Sequence, residues 1–279
     1  MSEIENIPQT LHTFASCLQR EEKSAVTIEK YLRDARQFLL HLGGQEITKD
    51  RIIAYKAYLL EQGYQTTSVN SMLASLNGFL TFLGLSHYRV KSVRTQRKVF
   101  SPAERELTRE EYLRLLDVSA SNPKLNLVLQ TICGTGIRIS ELRYFTVEAV
   151  RRGEVAVNCK SKTRTVLVPG ALRKHLLRYA KEQGIYSGSI FVTRSGAPLD
   201  RSNIWAQMKR LCAAANVDPR KVFPHNLRKL FARCFYAISK DIAKLADILG
   251  HGSIETTRIY IMTTGQEHRR QLERLHLIL

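Results

Sequence analysis

The chain has 279 residues, 44% of them hydrophobic, and sets 43 Lys and Arg against 25 Asp and Glu for a net charge of +18. That length supports one large or two ordinary domains with a real core, and that charge far exceeds what solubility needs, so it implies a polyanionic partner, nucleic acid before any membrane surface. No bilayer-length apolar run and no signal peptide are present, and the scattered Cys17, Cys133, Cys159, Cys212 and Cys234 lack metal-ligand spacing, which predicts a cytoplasmic protein with reduced, structural thiols.

The first 84 residues read as four helices, each closed by glycine. In SAVTIEKYLRDARQFLLHLGG the apolar Ile28, Tyr31, Leu32, Ala35, Phe38, Leu39 and Leu42 recur at helical steps before Gly43. TKDRIIAYKAYLLEQG stops at Gly63, and the next segment carries Val69, Met72, Leu73, Leu76, Leu80 and Leu83 on one face before Gly84. A helix around Leu11, Phe14 and Leu18 completes a small bundle. The segment that follows is basic and aperiodic, with Arg89, Lys91, Arg94, Arg97, Lys98 and Arg105 against the single acid Glu104. Between two globular halves of a basic chain, such a strap suits a phosphate backbone, since each neutralised phosphate releases counterions.

The second half opens on a capping box, Thr108 with Glu111. A nearly all-apolar helix, LNLVLQTICGTG, is then expected to end at Gly134 and Gly136. Val155 and Val157 alternate with polar or small neighbours, and Val166 and Val168 run back to Pro169. That pattern predicts a β-hairpin with Lys160, Lys162 and Arg164 at its tip. Helices follow at 171–183, 203–215, 225–238 and 241–249, the third with a buried stripe of Leu227, Leu230, Phe231, Cys234, Phe235 and Ile238.

Several residues of this half have ordinary readings one at a time. Arg138 can be a surface arginine at a helix entrance, His225 a capping residue after Pro224, and Tyr260 a half-buried tyrosine with a wet hydroxyl. Jointly, the order Arg138, hairpin lysine, His225-x-x-Arg228, His251, Tyr260 resembles the tyrosine recombinase family, the phage-integrase and Xer class of site-specific recombinases.

The resemblance implies a mainly α fold: a four-helix, SAM-like core-binding domain at 1–88, a basic interdomain linker at 89–105, and a mostly α catalytic domain with a small antiparallel hairpin at 106–279. It makes Arg138, His225, Arg228 and His251 the catalytic cluster, Tyr260 the nucleophile and Glu141 a brace. The resemblance favours Lys160 as the general acid, with Lys162 as the alternative because the turn CKSKTR lacks the glycines of the family's hairpin. No metal and no cofactor is implied. The implied partner is double-stranded DNA with inverted-repeat half-sites, bound by a homotetramer on synapsed sites and a monomer when free. An excisionase or a second recombinase is left open, and no membrane is involved. The tail from Gly265, with Leu272, Leu275, Leu277, Ile278 and Leu279, either packs on its own domain or, by the resemblance, docks into a neighbouring protomer.

The chemistry requires such residue types. A phosphodiester under attack gathers charge on its nonbridging oxygens, which planar guanidinium groups match with paired hydrogen bonds. A phenol with pKa about 10 is ionised only about one part in a thousand at pH 7, so neighbours must help it lose its proton. A covalent phosphotyrosine conserves the bond energy, so rejoining needs no ATP. The resemblance points to integration or excision of a mobile element. The alternatives are a type IB topoisomerase, which nicks and swivels DNA, and a DNA-binding relative without catalysis.

Overall fold

The computed structural model describes residues 6–94, 105–159, 162–193, 195–262, 269–270 and 272–275. The chain divides into two compact units, Met1–Arg97 and Lys98–Leu279.

The first unit is built from α1 (Ile7–Arg20), α2 (Ala25–Leu42), α3 (Lys49–Glu61) and α4 (Thr66–Phe82). Their apolar stripes meet in one core around Phe14, Phe38, Tyr55 and Phe79. Glycine does not close every helix, contrary to the sequence expectation. α1 ends where the chain reads REEKS, and Glu22 takes the left-handed conformation at φ 57°, which costs a side-chain-bearing residue about 1–2 kcal/mol. α2 is tied to α4 by the buried carboxylate of Asp34, which accepts from Lys30 Nζ at 2.8 Å and from the Ser75 hydroxyl at 2.9 Å. The start of the basic segment lies extended along α4. Asn77 exchanges hydrogen bonds with both backbone groups of Val90, and Asn70 does the same with Val93. The part of that segment from 95 to 104 is outside the described residues.

The second unit contains α5 (Arg109–Val118), α6 (Pro123–Thr135), α7 (Val147–Arg152), β1 (Glu154–Cys159), β2 (Lys162–Leu167), α8 (Gly170–Glu182), α9 (Arg201–Ala214), α10 (Pro224–Ser239), α11 (Ile242–Leu249) and α12 (Ile254–Ile261). Thr108 and Glu111 form the expected capping box of α5. α6 is buried nearly all round because α8 and α10 both pack on it. Gly134 lies inside α6, and Gly136 alone, at φ 66°, provides its stop. β1 and β2 pair antiparallel with Val155 opposite Val166 and Val157 opposite Arg164, so the arginine shares the inward face of the valines.

The buried stripe of α10 is shorter than the periodicity predicts. Leu227 and Leu230 join the core, but Cys234 is exposed and Ile238 is 88% exposed. Burial in α10 is concentrated between Asn226 and Ala232, and in its last turn Ala237 and Ile238 are exposed. In the tail, Leu272 and Leu275 are more than half exposed, while Leu277, Ile278 and Leu279 lie outside the described residues. Among the described residues no helix is long and apolar enough to cross a membrane.

Candidate active site

Arg138 follows the left-handed Gly136 and stands just before a 3-10 turn, Ile139–Tyr144. A Cβ on Gly136 would sit 2.4 Å from the Phe231 ring, so this tight reversal requires glycine. One turn on, the carboxylate of Glu141, 2% exposed, accepts from the Arg138 backbone N–H at 2.7 Å and from its guanidinium at 3.1 Å. The same carboxylate accepts from Arg164 Nη2 at 2.7 Å. Glu141 therefore fixes two arginines at once, one from the 3-10 turn and one from β2.

Arg228 is the centre of the cluster and is only 1% exposed. Its Nη1 donates to the Gly136 carbonyl at 2.5 Å and its Nη2 to the Leu249 carbonyl at 2.6 Å, so it bridges the C-terminal ends of α6 and α11. Those carbonyls lack helical partners, and a guanidinium fork answers both. Burial and the neighbouring Arg138 push the Arg228 pKa down to about 10, which leaves it fully charged near neutrality. Its Nε has no partner among the described residues, so a buried donor remains to be used.

His251 follows Gly250, whose φ of 64° ends α11. A Cβ on Gly250 would meet the Arg164 side chain at 2.5 Å, so glycine lets that arginine pass. His251 Nε2 lies 3.0 Å from Arg228 Nη2, and its Nδ1 lies 2.8 Å from the Thr257 hydroxyl. Burial first, then Arg228, Arg138, His225 and Arg164, push its pKa down to about 4, so the ring is neutral at pH 7.

Tyr260 is 8% exposed and packs on α12 against Ala232, Leu245 and Leu249. Its ring meets His225 and His251 edge-on, each with centroids 4.9 Å apart, and the Arg228 guanidinium carbon lies 6.0 Å from its centroid. The phenol oxygen is 3.4 Å from His225 Nδ1. Burial, with Lys229, Arg228 and Arg138, lowers the His225 pKa below its ordinary value, which favours the uncharged imidazole beside the phenol.

The structure thus brings together Arg138, Glu141, His225, Arg228, His251 and Tyr260, which are far apart in sequence. Lys160 lies outside the described residues, and Lys162 opens β2 with its backbone opposite Cys159, so both remain candidates for the hairpin acid. Sequence reasoning placed Arg164 at the hairpin tip, but its side chain is half-buried and paired with Glu141. The signal was present, since Arg164 has the strand parity of Val166 and Val168. Thr257, fully buried beside His251, was also missed. Among the described residues no cluster of His, Cys, Asp and Glu could hold a metal ion.

Two family models match the chain, one described as the phage integrase family over residues 105–267 and one as the phage integrase N-terminal SAM-like domain over residues 11–86. The tyrosine recombinase XerA of Thermococcus kodakarensis is 30% identical over 280 residues, covering 97% of this chain and 96% of its own. That of Pyrococcus furiosus is 28% identical over 278 residues, covering 97% and 95%. Among solved structures, a lambda integrase dimer bound to a COC′ core site superimposes with a TM-score of 0.72 at 18% identity, covering 92% of this chain and 96% of that one; this likeness is one of fold.

Proposed function

The chain belongs to the phage integrase family, and on that premise we propose that it is a site-specific DNA recombinase that cleaves and rejoins strands through a 3′-phosphotyrosine at Tyr260. The observation that carries the reading is the phenol of Tyr260, held 3.4 Å from a neutral His225 and beside the buried Arg228. In the proposed step the phenol oxygen attacks the scissile phosphorus as His225 takes its proton. The bond from phosphorus to the 5′ oxygen breaks, and Lys160 or Lys162 on the hairpin protonates the departing alkoxide. Arg138 and Arg228 hold the nonbridging oxygens, where charge develops. Rejoining is the reverse reaction with a 5′ hydroxyl of another strand.

The first unit, with the SAM-like match, serves as the core-binding domain (1–88), residues 89–105 as the basic linker and 106–279 as the catalytic domain. The net charge of +18 supports double-stranded DNA as the partner. Inverted-repeat half-sites, a tetramer on the synapse and mobile-element integration or excision follow from the family reading. The test is Tyr260→Phe on a nicked duplex built from DNA flanking the encoding gene. The wild type forms an adduct stable to denaturant; the variant binds equally and forms none. An adduct with Tyr260→Phe moves the nucleophile to another tyrosine.

A further inference from the structure

His251 stands between two donors. Arg228 Nη2, 3.0 Å from Nε2, has hydrogens and no lone pair to offer, so Nε2 must be the unprotonated, accepting nitrogen. The neutral ring then carries its proton on Nδ1 and donates it to Thr257 Oγ1 at 2.8 Å. This is the wrong tautomer for a ring that is to donate to a phosphate from Nε2. Of the other groups around the ring, Arg138 and Arg164 are guanidinium donors that cannot accept an Nε2 proton, and the Nδ1 of His225 lies against the Tyr260 phenol. Among the described residues the hydrogen-bond partner on the Nδ1 side is the fully buried Thr257, while the ring itself stays partly exposed to solvent. A hydroxyl both accepts and donates.

We propose that Thr257 is a positioning residue that lets His251 exchange tautomers when a phosphate enters the site. In the empty site Nδ1–H donates to Thr257 Oγ1 and Nε2 accepts from Arg228. With phosphate present, solvent removes the Nδ1 proton and returns one to Nε2; the ring keeps one proton throughout and stays neutral. The Thr257 hydroxyl rotates to donate to Nδ1, Nε2–H donates to a phosphate oxygen, and Arg228 Nη2 keeps its bond to the Leu249 carbonyl while its other hydrogen turns to the anion. Thr257 lies one turn before Tyr260 on α12, so the element that carries the phenol also sets the ring beside it.

The proposal rests on the phosphodiester reading of the site, and the test separates the two. The full-length protein, with nitrogen-15 in its histidines, is titrated with inorganic phosphate, and His251 is assigned by comparison with His251→Gln. The expected free state has a protonated Nδ1 and a bare Nε2, and phosphate exchanges them. Thr257→Ser, which keeps the hydroxyl, exchanges as the wild type does. Thr257→Val, nearly identical in shape, does not exchange, and it binds phosphate about tenfold more weakly, the worth of one hydrogen bond. A protonated Nε2 in the free protein overturns the proposal, as does phosphate binding without exchange in the wild type. If Thr257→Val does not fold, the wild-type and Thr257→Ser titrations still decide. Phosphate that perturbs neither His251 nor the arginine side chains overturns the phosphodiester reading and this proposal with it.

Discussion

Replacing Glu141 by glutamine removes one charge from the interior and changes almost no volume. The carboxylate now serves Arg138, 36% exposed, at 3.1 Å and Arg164, 14% exposed, at 2.7 Å. An amide has a single oxygen, so at least one guanidinium is left facing an N–H donor. The Arg138 pair is open to water and is worth about 0.5–1 kcal/mol. The Arg164 pair is enclosed, and breaking such a pair costs about 3 kcal/mol or more, because the remaining charge stays buried. The expected loss is about 3.5 kcal/mol, which for a unit of this size lowers the unfolding temperature by about 7–14 °C. Calorimetry on the full chain reads this directly, since the two units have separate cores and the transition of the first unit serves as the internal reference. Strand cleavage falls in parallel, by about tenfold or more, because Arg138 loses the group that aims it. Unfolding of Glu141→Gln at the wild-type temperature with undiminished cleavage would refute the account of Glu141 as the brace of both arginines.

Arg138→Ala removes a donor to the developing oxyanion and lowers cleavage by about 100 to 1000-fold with DNA binding unchanged, measured as adduct formation in EDTA without ATP; an absolute need for magnesium would contradict the mechanism. Gly136→Ala places a Cβ 2.4 Å from the Phe231 ring at a φ of 66°, and a destabilisation of about 2–4 kcal/mol is expected, with an unchanged denaturation midpoint as the opposing result. His251 has its folded pKa pushed down to about 4 from an unfolded value near 6.5. The unfolded chain therefore binds the proton first, and stability present above about pH 6.5 is lost as the pH falls towards 4. Because the ring is partly exposed, the loss is about 1–3 kcal/mol. The difference in unfolding temperature between wild type and His251→Gln should narrow across that range, and parallel pH profiles would exclude the linkage.

Much of this molecule is fixed by local pattern. Apolar residues at steps of three and four define α2, α4 and α6 without reference to any partner, and the Thr108–Glu111 box starts α5 from four adjacent positions. The alternation of Val155, Val157, Val166 and Val168 defines the hairpin in the same way. The order of Arg138, His225, Arg228, His251 and Tyr260 was legible too, because those residue types are rare in such a series. Burial was not legible, since a side chain's exposure depends on what other elements cover it. Periodicity placed Ile238 inside, whereas the fold leaves Ile238 bare and encloses Arg228, because the carbonyls at the ends of α6 and α11 arrive from distant sequence and need a charged fork. Likewise Arg164 reads as one more basic residue of a turn until the 3-10 turn brings Glu141 to it. The pairing of Thr257 with His251 arises only when Gly250 folds the end of α11 back onto α12, and a hydrogen bond of that kind, set by a backbone reversal, leaves no period in the sequence.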